Sequence, residues 1–283
     1  MGIWKIKDAD KGIFTVKNAH RISGLYFPLT NTQGDLLSCI TPNLSGDLKT
    51  GINNFLNYPQ TVYDLNAMSS TRTMWLQYNG KTVNTSPLYT EPEKLEVEAG
   101  PLYHILRSRI DALDIEILNF VPEKLSAEVM RFTVTNRSSK PISVKAVFAM
   151  PLFCRSADNL RDHRHVTALL SRSLVSANGV TVKPTMAFDE RGHTVNTTEY
   201  FAYGDRNSGL APKRVISSLD GFLGEGGTLY RPGYIYEPSR TPAPVTARSQ
   251  RLGRTSWKNS GRWSNGKTPG LHPGNRGSIP RRS

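Results

Sequence analysis

The sequence predicts an all-β protein, built as a large antiparallel sandwich with few short helices. The main observation is a strict alternation in which Leu113, Ile115 and Ile117 are separated by Asp114 and Glu116, so that one face meets a core and the other meets water. Short apolar runs elsewhere are broken by Gly, Asn and Pro, as strands and turns alternate. No segment of useful length keeps the 3.6-residue apolar period of a helix. A chain of 283 residues can bury a sizeable core.

The chain opens with two predicted hairpins. Residues 3–8 and 13–17 read as short strands joined by a turn that contains glycine. Residues 26–29 and 36–40 flank a second turn rich in Asn, Gly and Asp, which tolerate a positive φ. The polar run that begins at residues 45–47 and extends to Asn54 is predicted to be an ordered loop over the sheet edge.

Further strands are predicted as far as residue 188. Those with the clearest alternation are residues 95–98, 113–117, 130–134 and 142–148. The polar connection at 136–141 ends in Pro141 and is typical of a hairpin loop, since proline cannot donate to a ladder but can begin an edge strand. Shorter apolar runs predict the remaining strands at residues 166–170, 180–183 and 186–188.

The positive charge is concentrated at the carboxyl end. The formal net charge is +13, but residues 239–283 hold ten Lys or Arg and no Asp or Glu, so the preceding body carries only +3. We therefore predict a domain at residues 1–236 and a disordered basic tail at 237–283, because the tail has too few aliphatic residues to offset its ordering entropy. Its composition is also typical of an out-of-frame translation. The alternative function, a binding module whose basic tail contacts nucleic acid, depends on this tail alone.

Two cysteines and the amino terminus indicate the compartment. Cys39 and Cys154 match neither a disulfide framework nor a four-ligand zinc site, so two reduced thiols are expected. The first residues interleave charges with apolar residues and lack the apolar core of a signal peptide. No run approaches transmembrane length. We expect a cytoplasmic protein that does not contact a membrane.

A densely charged stretch at residues 155–165 is the candidate site. It is too charged for a buried strand and too mixed in sign for a solvated tail, so we predict a loop on one rim of the sandwich. Planar hydrogen-bonding side chains of this kind can satisfy adjacent sugar hydroxyls, although a structural ion-pair network explains them equally. The candidate carbohydrate-binding residues are Arg155, Asp158, Asn159, Arg161, Asp162, His163, Arg164 and His165.

Other arrangements of the same residue types carry less weight. Cys154, Asp162, His163 and His165 could form a thiol-protease-like set, or the two histidines could bind a metal, but no Cys or carboxylate spacing completes a zinc signature. Trp75 could stack on a sugar ring, although a Trp in a strand belongs more often to the core. The Gly-Glu-Gly-Gly run that contains Glu225 resembles a phosphate loop but lacks its GKS or GKT ending and following helix.

Three stretches resemble one known family. They are Y-F-P-L-T-N-T-Q-G-D-L-L-S-C-I-T-P-N-L-S-G-D-L-K-T-G-I-N-N-F-L at 26–56, S-A-D-N-L-R-D-H-R-H-V-T with the following V-K-P-T-M-A-F-D-E-R-G-H at 156–193, and G-F-L-G-E-G-G at 221–227. In this order they resemble the amino-terminal region of glycoside hydrolase family 94, formerly glycosyltransferase family 36, the cellobiose-phosphorylase-like enzymes. The resemblance spans roughly residues 14–236 and excludes the tail. It implies a galactose-mutarotase-like supersandwich that stands before a helical barrel.

The resemblance also implies a chemistry and a set of partners. The family carries out inverting phosphorolysis of β-glucosides, with inorganic phosphate as co-substrate and no other cofactor or metal. Its catalytic acid and phosphate-binding residues lie in the barrel, so we assign no catalytic residue here. We expect a truncated sandwich that binds a β-glucoside, is inactive alone, needs the missing barrel for turnover and, in the full-length family, belongs to a homodimer. Nucleic acid is the less favoured partner.

Overall fold

The segments with alternating apolar residues form β-strands. The structure is a computed structural model that describes residues 3–22, 25–51, 54–67, 72–160, 171–189, 192–206, 209–238 and 263–267. Leu113, Ile115 and Ile117 are buried, whereas Asp114 and Glu116 point to the other face. Burying such an aliphatic side chain contributes about 1.5–3 kcal/mol. The period-two pattern is therefore confirmed as the source of the sheet faces.

The described strands number nineteen. In chain order they are β1 Trp4–Asp8, β2 Ile13–Lys17, β3 Phe27–Thr30, β4 Leu36–Ile40, β5 Leu48–Thr50, β6 Asn54–Phe55, β7 Thr73–Tyr78, β8 Lys81–Asn84, β9 Lys94–Gly100, β10 Tyr103–Ile110, β11 Leu113–Phe120, β12 Ala127–Asn136, β13 Lys145–Ala149, β14 Ser171–Val175, β15 Gly179–Pro184, β16 Met186–Asp189, β17 Gly192–Val195, β18 Tyr200–Tyr203 and β19 Trp263–Lys267. The helices of the described residues are α1 Val62–Ala67, α2 Leu219–Leu223 and α3 Gly233–Tyr236, with 3-10 turns η1 Ala19–Arg21 and η2 Ala157–Leu160.

The strands pair antiparallel in four sheets. Ten form one large sheet in the order β1-β2-β9-β10-β11-β12-β19-β18-β15-β14. A four-stranded sheet β3-β4-β5-β6, a three-stranded sheet β13-β7-β8 and the hairpin β16-β17 complete the set. The predicted all-β antiparallel fold with few short helices is confirmed, including both amino-terminal hairpins. No helix among the described residues is long and apolar enough to cross a membrane.

The main core lies between the large sheet and the two smaller ones. Leu106 and Ile115 of the large sheet share one buried cluster with Ile40 of the four-stranded sheet and Leu76 of the three-stranded sheet. The opposite face of the large sheet carries charge, and Arg107 bridges Glu98 and Glu116 at 3.1 and 3.0 Å. Such cross-strand pairs add little energy in water, so the apolar face holds the layers together.

Two predictions about connections are wrong. Residues 136–141 do not connect the strands of a hairpin, because β13 does not pair with β12. It pairs with β7 in another sheet. Alternation reports which face of a strand is apolar but not which strand is its neighbour. The run at residues 45–54 is not a loop over a sheet edge, because it contains β5 and the start of β6, and the loop that precedes β5, residues 41–46, is buried. Its backbone is satisfied inside the protein, where Asn57 Nδ2 donates to Gly46 O at 2.7 Å.

Five residues of the predicted tail also lie in the large sheet. Strand β19 pairs with β12 on one side and with β18 on the other. The composition of the tail predicts no strand here, whereas the backbone of β19 pairs with a neighbouring strand on each side. Residues 239–262 and 268–283, like the predicted strand at 166–170, lie outside the described residues.

A buried histidine predicts how stability depends on pH. His104 is fully buried, and Asn119 Nδ2 donates to its Nδ1 at 3.2 Å. Burial lowers the pKa of His104 from 6.5 to about 3. Between these values the unfolded chain binds a proton that the folded chain does not, so the free energy of unfolding should fall as pH falls, by up to about 1.4 kcal/mol per pH unit.

The measurement is urea unfolding of the protein and of His104→Gln between about pH 7 and about pH 5. The variant should be less stable at neutral pH but should lose part of the pH slope. Val195→Ala, which changes an exposed neutral residue on β17, is the control and should keep the slope. An unchanged slope in His104→Gln would contradict the prediction.

Candidate functional site

The start of the candidate stretch is fixed to the edge strand of the four-stranded sheet. The backbone N–H groups of Phe153 and Cys154 both donate to Leu56 O, at 2.7 and 3.1 Å. Arg155 and Phe55 then exchange hydrogen bonds at 3.0 and 2.9 Å. Cys154 turns the chain with a φ of 56°. Arg155 therefore projects from an anchored backbone at the end of β6.

Two cation–ring pairs lie on either side of the backbone bridge between Phe55 and Arg155. The guanidinium of Arg155 lies 4.5 Å from the centroid of the Phe153 ring, and the Tyr58 ring meets Phe153 edge-on at 5.4 Å. The ammonium of Lys49 lies 5.3 Å over the ring of Phe55. We call these five residues the aromatic shelf. Phe55 and Phe153 are buried, whereas Tyr58 keeps 44% of its surface exposed and presents the accessible ring.

The candidate stretch continues into η2. Ser156 Oγ donates to Asp158 Oδ2 at 2.9 Å and accepts from the Asp158 N–H at 3.1 Å, so the turn is held by its own side chains. The backbone of Asn159 also lies in η2. The side chain of Asn159 and all of Arg161, Asp162, His163, Arg164 and His165 lie outside the described residues. Their carbohydrate role stays a prediction.

The two cysteines are free thiols, as predicted. Burial raises the pKa of Cys39 to about 11 and raises the pKa of Cys154 further above its ordinary range. The thiol of Cys154 donates to Leu56 O at 3.8 Å. Because the thiolate is the nucleophilic form, Cys154 is a structural residue rather than a protease nucleophile. Within the part of the chain that the structure describes, no group of three His, Cys, Asp or Glu residues could hold a metal ion.

Trp75 belongs to the core, as the sequence favoured. Its side chain is fully buried and meets Tyr89 and Phe222 edge-on at 5.9 and 5.6 Å. Phe222 comes from α2, so these contacts fix the carboxyl-terminal helices on the three-stranded sheet. A sugar cannot reach the indole face here.

The Gly-Glu-Gly-Gly run joins α2 to α3. Gly224 has a φ of 70° and its N–H donates to Asp220 O at 2.8 Å, which ends the helix. A Cβ at Gly227 would overlap the carbonyl of Leu223. Glu225 between them is exposed. Turn geometry and close packing therefore explain these glycines without a phosphate.

Residues 77–246, more than half of the chain, match the family described as glycosyl hydrolase 94, supersandwich domain. The chain belongs to glycosyl hydrolase 94. No curated protein matches it. The glycosyl hydrolase 94 match includes Phe153 and Arg155 of the aromatic shelf and begins inside β7, after Lys49, Phe55 and Tyr58. It ends ten residues beyond α3, within the predicted tail.

Of the five residues of the aromatic shelf, the candidate carbohydrate-binding residues predicted from the sequence include Arg155 alone, and not Lys49, Phe55, Tyr58 or Phe153. Lys49 and Phe55 lie within residues 26–56, which carry part of the resemblance to glycoside hydrolase family 94, whereas Tyr58 lies just beyond them. Nothing local links Tyr58 to Phe153, however, because they are almost a hundred residues apart and meet only through the pairing of β6 with residue 155. Long-range pairing is what assembles the aromatic shelf.

Proposed function

We propose that this glycosyl hydrolase 94 supersandwich binds and orients a β-glucoside at the aromatic shelf, as the amino-terminal domain of a cellobiose-phosphorylase-like phosphorylase. The observation that carries the proposal is the exposed Tyr58 ring held edge-on by Phe153, with the Arg155 guanidinium on the same Phe153 ring. The C–H face of a glucoside can stack on Tyr58, while the guanidinium of Arg155 can donate to a hydroxyl. The supersandwich match supports the carbohydrate class.

In this proposal the sandwich supplies orientation and the helical barrel supplies chemistry. Arg155 is placed by its backbone bonds to Phe55 and by its cation–π contact, so little rotamer freedom is lost when a sugar binds. Ser156 and Asp158 order the first turn of the loop that carries the other predicted ligands. Inorganic phosphate, the expected co-substrate, and the acid that protonates the leaving oxygen belong to the barrel, where phosphate takes the place of water.

The test is binding of cellobiose, laminaribiose and longer β-glucans by calorimetry. Removing the ring in Tyr58→Ala should weaken binding by about tenfold, because loss of an aromatic stacking partner costs on the order of 1 kcal/mol. Tyr230→Ala is the matched control, since Tyr230 is a half-exposed tyrosine that packs on Tyr89 instead.

The binding measurements distinguish a carbohydrate site at the aromatic shelf from its absence. A loss in Tyr58→Ala that Tyr230→Ala does not share supports the aromatic shelf as the carbohydrate site. Equal affinities in the wild type and Tyr58→Ala would overturn it. Arg155→Gln, which keeps two donors but no charge, should bind more weakly than wild type and more tightly than Arg155→Ala.

A further inference from the structure

Strand β1 forms one edge of the large sheet, and its apolar side chains are exposed. It pairs with β2 on one side and, among the described residues, has no strand neighbour on the other. Trp4 lies opposite Val16 of β2, which lies opposite Val97 of β9. Both valines are fully buried, whereas Trp4 keeps 52% of its surface exposed and Ile6 keeps 71%. The core-facing rows of the sheet therefore continue to its edge and end in exposed apolar side chains.

The backbone of the same two residues also faces the free edge. The Lys17 N–H donates to Ile3 O at 3.0 Å, so the hydrogen-bonded pairs between β1 and β2 include Ile3 and recur at every second residue. Trp4 and Ile6 lie between those pairs and direct their N–H and C=O groups away from β2. A strand edge of this kind is a template for a further strand. The β-bulge between Ile6 and Asp8 interrupts the template and confines it to the first residues of β1.

Aromatic contacts hold Trp4 in place. Its ring lies 5.6 Å from the ring of Phe14, which in turn lies 6.3 Å from the ring of Phe27. Phe27 is buried in the main core. Because the indole is already ordered by these contacts, little conformational freedom is lost when a partner packs against it. Trp4 and Ile6 therefore present a fixed apolar surface along the free edge.

The other face of β1 carries positive charge. Lys5 is exposed and has no ion pair within the residues that the structure describes. Lys7 is also exposed, and its ammonium lies 2.8 Å from Glu98. A strand added to this edge places every second side chain against Trp4 and Ile6, and the alternate side chains beside Lys5. Apolar residues suit the first set, and carboxylates suit the second.

The same arrangement argues against two other occupants of the edge. In a dimer that pairs Trp4 of each β1 with Ile6 of the other, the two Lys5 side chains would lie opposite each other, and like charges in that position are destabilising. Residues 239–283 contain no Asp or Glu, so this part of the chain offers no carboxylate to Lys5. A segment of another protein is the occupant that fits the charge.

We propose that β1 is a docking edge for an extended segment of another protein, in which apolar residues alternate with Asp or Glu. The segment joins the large sheet as an additional strand. Its backbone pairs with Trp4 and Ile6, its apolar side chains cover the same two residues, and a carboxylate pairs with Lys5. Main-chain hydrogen bonds and burial supply affinity, and the carboxylate selects the sequence. The docking edge contains no residue of the aromatic shelf, so this proposal does not depend on carbohydrate binding.

The test is titration of the full 283-residue chain with short acetylated peptides, one that alternates valine with glutamate and one that alternates valine with lysine. The glutamate peptide should bind saturably and change the tryptophan emission, a change that Trp4→Phe should not show. The lysine peptide should bind at least about tenfold more weakly, because its cations face Lys5. A glutamate peptide that is N-methylated at the amides facing β1 should not bind, since it cannot donate to the edge.

Two variants separate the charge from the apolar surface. Lys5→Glu should reverse the preference, so that the lysine peptide binds more tightly than the glutamate peptide. Ile6→Asp should reduce the affinity for both peptides by about tenfold or more, because it removes a buried aliphatic contact and places a charge in the apolar row. Leu174→Asp is the matched control, since Leu174 is a 54% exposed leucine on β14, the strand at the opposite edge of the same sheet. It should leave both affinities unchanged.

Several results would overturn the proposal. These are an absence of saturable binding at millimolar glutamate peptide, equal affinity of the wild type for the two peptides, or an equal loss in Leu174→Asp. Self-association of the wild type that Ile6→Asp abolishes in sedimentation would also overturn it, because a second copy would then cover β1. Thermal unfolding of Ile6→Asp excludes misfolding as the cause of a loss. Tyr58→Ala should bind the glutamate peptide as the wild type does, so failure of the aromatic shelf and failure of the docking edge can be told apart.

Discussion

Replacing Arg72 with methionine is expected to destabilise the protein by about 3–5 kcal/mol, because it leaves a buried carboxylate without its counter-charge. Arg72 Nε lies 2.7 Å from Glu128 Oε2, and both side chains are fully buried. Ser38 Oγ donates to the other oxygen of Glu128 at 2.5 Å. Arg72 also donates to the carbonyls of Gly46 and Asp47, at 3.0 and 3.3 Å, so the arginine joins β4, β12 and the buried loop. The measurement is urea unfolding.

The double variant makes the electrostatic origin testable. Arg72→Met with Glu128→Leu removes both charges and should recover part of the stability that Arg72→Met loses. Lys183→Met is the control for an exposed ion pair, since Lys183 and Glu199 are separated by 2.6 Å and both remain solvated. It should cost at most about 1 kcal/mol. An Arg72→Met variant no less stable than Lys183→Met would contradict the prediction.

Gly46→Ala should lower the free energy of unfolding by about 3 kcal/mol or more. Gly46 has a φ of 124°, and a Cβ there would overlap the carbonyl oxygen of Cys39, so the backbone itself must move. That movement would disturb the Gly46 N–H, which donates to Gln60 Oε1 at 2.5 Å, and the Gly46 carbonyl, which accepts from Asn57 and Arg72.

Gly34→Ala separates the two causes. Gly34 also has a positive φ, at 67°, but its Cβ would meet open space. Gly34→Ala should therefore lower the free energy of unfolding by only about 1–2 kcal/mol, the cost of placing alanine in a left-handed backbone conformation. The difference between the two variants measures the overlap with Cys39. If Gly46→Ala were as stable as Gly34→Ala, the buried loop would have to be far more adaptable than its hydrogen bonds indicate.

The candidate site shows which of its residues the local sequence can predict. Dense mixed charge predicted Arg155 and Asp158 as candidate site residues, and the structure places Arg155 opposite Phe55 of β6 and Asp158 in η2. Tyr58 and Lys49 gave no local signal of a site, because their role depends on contacts with residues distant in sequence.

The buried interior separates the two kinds of information further. Alternation of apolar and polar residues predicted the buried face of β11. The same pattern is expected in any strand that has one solvent-exposed face and one core-facing face. Alternation did not predict the buried ion pair of Arg72 and Glu128, because a charged residue is expected to be exposed unless its partner is known.

By itself the sequence determined the antiparallel β class, the faces of the central strands, the two amino-terminal hairpins and the resemblance to glycoside hydrolase family 94, since each depends on residue types a few positions apart. The tertiary structure decided that β13 joins β7, that the Gly46 loop is buried, and that Tyr58 meets Phe153. Those outcomes depend on which distant strands share a ladder. Many pairings satisfy the same local pattern, and only the packed core selects one of them.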